Sequence, residues 1–170
     1  MTMDIAVSGI APDPEAIRKV CARFVTGVTT VTSTGSEGVV GVTINSFTSV
    51  SLDPPMVLFC LHSRSRLRLA LSESRVFAVN ILAEDQESLC RSFSSRSSSQ
   101  FAEVPHHTGE TGAPILSDSL AYLECRVKEE YEAGDHLIVL GEVVRLDVLR
   151  HDDQPLTFFR SAMHRIVIDR

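Results

Sequence analysis

Residues 41–61, GVTINSFTSVSLDPPMVLFCL, decide the fold. Six hydroxyl or amide side chains, Thr43, Asn45, Ser46, Thr48, Ser49 and Ser51, follow Gly41, and Asp53-Pro54-Pro55 separates them from the apolar run 56–61. Valine, threonine and isoleucine in alternation suit a half-buried strand, and a short apolar run bounded by turn residues suits a buried one. The segment reads as a strand, an exposed polar rim, a rigid turn and a strand covered on both faces, with the prolines locking the turn. Composition alone would also accept an edge strand with a solvated Ser/Thr face. Small donors and acceptors on a rim can hold a planar polar heterocycle and a phosphate without large charged side chains among them.

Outward from this stretch the signals are short and turn-rich. Asp13-Pro14-Glu15 is a helix start, with a cap, a proline in the first turn and an acid behind it; Ile17, Val20, Cys21 and Phe24 extend it as an amphipathic helix over 14–24. Residues 25–33 alternate as a strand, 35–38 form a hairpin turn and 39–45 return. After the apolar run, Ser63 or Ser65 caps a helix through Leu71, with Leu67, Ala70 and Leu71 facing inward. Strand 76–82, a helix over 85–93 begun by Asp85, and strands 120–131 and 137–149 follow, the last with Gly141 as a bulge. Segments 155–160 and 164–168 complete the chain, and SFSSRSSS at 92–99 reads as a mobile loop.

The organisation expected is a tail over 1–12 and a single domain over 13–170. Six or seven strands with two or three small helices predict a mostly β fold, a closed or nearly closed antiparallel barrel of Greek-key type. Long helices between successive strands, which a doubly wound sheet requires, are missing, as are G-x-G-x-x-G and Walker loops.

Bulk properties narrow the function. The 170 residues are 44% hydrophobic and 22% charged, enough for one real core. A net charge of −6 speaks against a nucleic-acid partner, so the cluster Arg64, Arg66, Arg68 is suited to a single small anion. Cys21, Cys60, Cys90 and Cys125 contain no C-x-x-C pair and fit neither a compact zinc site nor a disulfide framework; reduced thiols are expected, with no metal. Neither a secretory signal nor a membrane-length apolar run is seen, and a cytoplasmic location is the expectation.

Four segments together carry a family resemblance: FVTGVTTVT (24–32), GVTINSFTSVSLDPP (41–55), GDHLIVLGEV (134–143) and PLTFFR (155–160). The chain resembles the short-chain flavin reductases over residues 14–165. That resemblance implies an FMN-binding split barrel that moves a hydride from NADH or NADPH to FMN or FAD, and a homodimer that supplies diffusible reduced flavin to a partner monooxygenase. It places the isoalloxazine edge against Thr43, Asn45 and Ser46 and the ribityl chain or phosphate along Ser49, Val50 and Ser51, with Pro54 and Pro55 locking the turn that fixes this rim; Pro55 and Cys60 are expected among the cofactor-binding residues as well. It also implies that the region of Phe93 and Phe101 folds near the flavin and helps cover the nicotinamide; the alternative is two aromatics that anchor the serine-rich loop to the core. Ser63, Arg64, Ser65 and Arg66, just before the helix at Leu67, form a natural phosphate seat. His136, opening a strand at the barrel rim, is assigned to positioning the nicotinamide, with Asp135 orienting the imidazole or the loop. Hydride transfer depends on stacking and distance, so positioning is the protein's main task.

The remaining histidines differ in promise. His106 and His107 lie in a turn-rich segment and read as surface. His62, after the buried strand, could edge the flavin; His164 stands where the family carries a glycine-arginine-tyrosine tail and this chain has Arg160-Ser161-Ala162-Met163-His164. Two rival readings share the barrel: an FMN-dependent oxidase resembling the pyridoxamine-phosphate oxidases, and a non-catalytic flavin-binding protein. No acidic or basic residue can be set against a ribose to choose NADH from NADPH, and FMN and FAD are equally compatible.

Overall fold

The structure, a computed structural model, describes residues 13–94, 101 and 103–166. In chain order its elements are α1 (Pro14–Cys21), β1 (Thr26–Gly27), β2 (Thr29–Gly35), β3 (Gly38–Ile44), β4 (Thr48–Leu52), β5 (Pro55–His62), α2 (Arg66–Ser74) and β6 (Val76–Ile81). Then come α3 (Glu87–Ser94), β7 (His106–Thr108), β8 (Pro114–Leu116), β9 (Ala121–Ala133), β10 (His136–Val148), β11 (Thr157–Phe159) and β12 (Ala162–His164). The expected tail over 1–12 and residues 95–99 of the expected serine-rich loop lie outside the described residues.

A seven-stranded antiparallel sheet of order β3-β2-β6-β9-β10-β5-β4 forms the body, built from three hairpins with β6 set between two of them. The sheet curls until its β3 end approaches β5 but does not close by a ladder. Beyond β3, Ser46 continues the β4–β5 pairing by one more step: its hydroxyl accepts from the Cys60 N–H at 3.0 Å and donates to the Cys60 carbonyl at 3.1 Å, tying the β3–β4 connection to β5. The mostly β chain is thus a split barrel.

Its core follows strand alternation. On β5, Val57, Phe59 and Leu61 point inward and meet Val31, Phe77, Val79, Cys125 and Val139, with Leu67, Ala70 and Leu71 of α2 plugging one end. Phe59 and Phe77 meet edge to face with centroids 5.2 Å apart, a geometry that adds to their area burial. Gly141 marks a shift of register between β9 and β10, the expected bulge, and a side chain there would strike the Phe77 ring. Buried Asn80 donates to the Thr30 carbonyl and the Thr32 hydroxyl and accepts from the Leu116 N–H, fixing β8 against β2 and β6. The Cys125 thiol is pushed up to about 12 by burial, so it behaves as a small apolar group.

Several expectations change. The first helix stops at Cys21, and none of its residues is buried: Ile17 and Val20 are exposed, as is Phe24 beyond its end. The strand expected over 25–33 breaks at Val28, because β1 pairs with β11 whereas β2 pairs with β3 and β6. The apolar strand is covered on one face only, Leu58, Cys60 and His62 being half-buried. The polar rim and the edge strand prove to be one object, since residues 48–52 form β4 at the sheet edge. Asp85 does not start α3; two residues upstream of the helix, it pairs with Arg150. Residues 92–94, expected in the serine-rich loop, form the last turn of α3. Twelve described strands exceed the six or seven expected, because five are only two or three residues long.

Candidate functional site

The split between β3 and β5 opens into three adjoining hollows. The first, of about 280 Å³, is lined by Thr43, Asn45, Ser46, Cys60, His62 and His136 among others. The second, of about 220 Å³, lies toward the start of α2 and is lined by Gly41, His62, Arg64, Ser65, Arg66 and Phe93 among others. The two share Val42, His62 and Ser65, so they form one bent groove. The third, of about 160 Å³, shares Thr43, Ile44 and Asn45 with the first and is closed by Val28, Ser94, Phe158 and Met163.

Each wall has a local cause. At the α2 end, the Ser65 hydroxyl caps the helix by accepting from the Leu67 N–H at 3.3 Å, which leaves the first-turn amides and their partial positive charge facing the groove. The turn before it is pinned from three sides: Ser65 N–H donates to the His62 carbonyl, Ser63 N–H to the Asp135 carbonyl, and Arg64 N–H to His62 Nδ1 at 3.1 Å. Arg64 and Arg66 add fixed positive charge at the same place. This is a chemical fit for a phosphate monoester.

At the other end, His136 opens β10 and stands opposite His62 on β5, as Cα partners. Their rings meet edge to face at 5.2 Å. Asp135 bonds His136 Nδ1 at 2.7 Å, and that bond holds the Asp135 carboxyl below the usual carboxylate range, so it is ionised and orients the imidazole. Between the ends, the Thr43 hydroxyl donates to the Cys90 carbonyl at 2.8 Å, tying β3 to α3. The hydroxyl protons of Thr43 and Ser46 are therefore engaged within the protein. The Asn45 side chain, on the exposed end of β3, is the amide left to face a ring. A hollow of this size with an amide, an imidazole pair and a thiol suits a planar heterocycle, and its continuity with the α2 seat suits one that carries a phosphate.

The sequence-predicted residues divide accordingly. Thr43, Asn45, Ser46, Cys60, Arg64, Ser65, Arg66, Phe93 and His136 come together in the groove, with Ser63 in the turn beside it. Ser49, Val50, Ser51 and Pro55 do not. They lie on the β4–β5 hairpin, where Ser49 pairs with Val57, five strand steps and about 17 Å from His62. Phe101 lines none of these hollows; it packs on Phe93 at 4.9 Å and on His106 at 5.0 Å. His106 and His107 are exposed on β7, and His164 Nε2 is bonded to the Phe159 carbonyl. Val42, Ile44, Ser94, Phe158 and Met163 were missed, and only the strand alternation at 42 and 44 could have signalled any of them. Among the described residues, no group of three or more His, Cys, Asp or Glu could hold a metal ion, and no helix is long and apolar enough to cross a membrane.

Comparison with known proteins agrees with this geometry. The flavin reductase like domain matches residues 21–167. The chain is 39% identical, over 100% of its length and 87% of the relative's, to the reductase subunit HsaB of a flavin-dependent monooxygenase from Rhodococcus jostii. It is 40% identical to the FMN reductase (NADH) SmoA of Agrobacterium fabrum, covering 88% of this chain and 84% of that one. Among solved structures, the NADH:FAD oxidoreductase of Streptomyces globisporus in complex with NAD and FAD fragments superposes with a TM-score of 0.86 at 40% identity, covering 92% of this chain and 94% of that one.

Proposed function

The chain belongs to the flavin reductase like family, and from that premise we propose that it is an NADH-dependent flavin reductase, the reductase component of a two-component monooxygenase. The single observation that carries the reading is the bent groove that joins a ring-sized hollow to a helix N-terminus flanked by Arg64 and Arg66. When bound, the flavin supplies the hydride acceptor, N5, and the nicotinamide supplies the hydride. This chain's residues do the rest. The α2 N-terminus with Arg64, Ser65 and Arg66 holds the phosphate, Asn45 and the β3 edge orient the ring, and His136, steadied by Asp135, sets the nicotinamide. Phe93 closes the groove on the α3 side. FMN or FAD fits as a substrate that enters and leaves, as a reductase that hands its product to another enzyme requires.

Val50 and Leu52 on β4, Val144, Leu146 and Val148 on β10, and Ile17, Val20 and Phe24 at the N-terminal helix are large apolar side chains left exposed, Leu52 by 93%. Exposure on this scale is what a subunit interface covers, which supports a homodimer. It would place the β4 hairpin, with Ser49 and Ser51, against a second subunit. The reduced flavin then reaches the oxygenase by diffusion. Turnover settles the reading: purified protein given NADH and free FMN or FAD under argon should bleach the flavin pool catalytically, and no bleaching would overturn it.

A further inference from the structure

We propose that His62 and His136 act together as a clamp for a primary carboxamide, His62 donating to its oxygen and His136 accepting from its nitrogen; the proposal rests on the nicotinamide-dependent reading above. The bonding of the two rings sets opposite roles. Arg64 N–H donates to His62 Nδ1, so Nδ1 is the bare nitrogen and the proton sits on Nε2. At His136 the partner of Nδ1 is the Asp135 carboxylate, which only accepts, so Nδ1 carries the proton and, in the neutral ring, Nε2 is bare. Among the described residues neither Nε2 has a hydrogen-bond partner. Both rings line the same hollow, their centroids are 5.2 Å apart, and they form the last rung of the β5–β10 ladder at the rim.

One donor beside one acceptor is the complement of a carboxamide, which offers one C=O and one NH₂. The edge of an isoalloxazine offers acceptor, donor and acceptor in a row and asks for three partners, so it matches the pair less well. The clamp is also wired to the phosphate seat: the turn that bonds His62 Nδ1 carries Arg64 and Ser65, and its Ser63 N–H holds the Asp135 carbonyl.

The test separates binding from turnover. Titrating the full-length protein with NAD⁺, thionicotinamide adenine dinucleotide and 3-acetylpyridine adenine dinucleotide by calorimetry reads each half of the clamp, because sulfur is a weak acceptor and the acetyl group has no N–H. His62→Leu should weaken NAD⁺ binding about three- to tenfold, the value of one neutral hydrogen bond. It should also erase the preference for NAD⁺ over the thio analogue while keeping that over the acetyl analogue. His62→Gln, which retains an N–H donor, should recover most of the affinity, and an unchanged melting temperature marks the fold as intact. An unchanged NAD⁺ affinity in His62→Leu, or a loss confined to FMN, overturns the clamp even if the wild type turns over. Failure of the wild type to oxidise NADH instead overturns the reductase reading.

Discussion

Replacing Ser46 with alanine removes the side chain that ties the β3–β4 connection to β5. The Ser46 hydroxyl makes two bonds to Cys60, at 3.0 and 3.1 Å, both half-buried. Each neutral bond contributes about 0.5–1.5 kcal/mol net. Water can reach the half-buried Cys60 amide once the hydroxyl is gone and recovers part of the loss, so the lower half of the summed range applies, about 1.5 kcal/mol. At about 2–4 °C per kcal/mol for a domain of this size, the melting temperature should fall by about 3–6 °C. The chain contains no tryptophan, so unfolding is best followed by circular dichroism in urea, at fixed protein concentration because association shifts apparent stability. The midpoint should fall with an unchanged slope, since the folded surface is the same. Flavin affinity should fall with it, because Asn45 precedes Ser46 and loses its anchor. A stability loss below about 0.3 kcal/mol together with an unchanged flavin affinity would refute the idea that this contact fastens the β3–β4 connection beside the groove.

Other perturbations test other parts of the account. Arg64→Ala should weaken FMN binding about tenfold and leave riboflavin, which lacks the phosphate, unaffected; equal losses for both ligands would remove the phosphate seat from the α2 end. Ser161 sits at φ 63° after Arg160 at φ 51°, both left-handed, so Ser161→Gly should raise stability by about 1 kcal/mol in a thermal melt. The Asp85 carboxyl is held below its ordinary range by hydrogen bonds from Arg150. A depressed folded value means this stabilisation is present above about pH 4 and is lost as pH falls through the folded value. Asp85→Asn should therefore cost at most about 1 kcal/mol at pH 7, the pair being half-exposed, and the gap to wild type should close as pH falls through the folded value. In the native protein, exposed Cys21 should alkylate at pH 8 while Cys125, buried and pushed up to about 12, should react only after unfolding, as peptide mass mapping would read directly.

What the sequence disclosed follows from how local each signal is. Helix α2 was legible because Ser65, Leu67, Ala70 and Leu71 set cap and buried face within one short segment, and the β2–β3 hairpin because Gly35 and Gly38 bracket its turn. The end of α1 was not, since the apolar spacing continues to Phe24 after the helix has stopped, on a face left exposed among the described residues. Asp85 looks like a cap in sequence but its partner is 65 residues away in Arg150, a contact that no local pattern contains. The groove was legible where its residues are sequence neighbours, 43–46 and 63–66, and at His136 through the family motif. Ser49, Val50, Ser51 and Pro55 were grouped with it through the family resemblance, but β4 runs away from Ser46 and leaves them beside the far end of β5. Met163 and Phe158 enter the site from the C-terminal hairpin, where PLTFFR marked the family without marking a site residue and the tail beyond it departed from the family's usual pattern.

The most direct test of the central claim is the rate of NADH oxidation by the purified protein under argon, with and without added FMN or FAD. A flavin reductase should give many turnovers per protein, strictly dependent on free flavin and matched mole for mole by bleaching of the flavin pool. NADH left untouched in the presence of flavin that the protein demonstrably binds would contradict it and point to an oxidase or a flavin-binding protein instead.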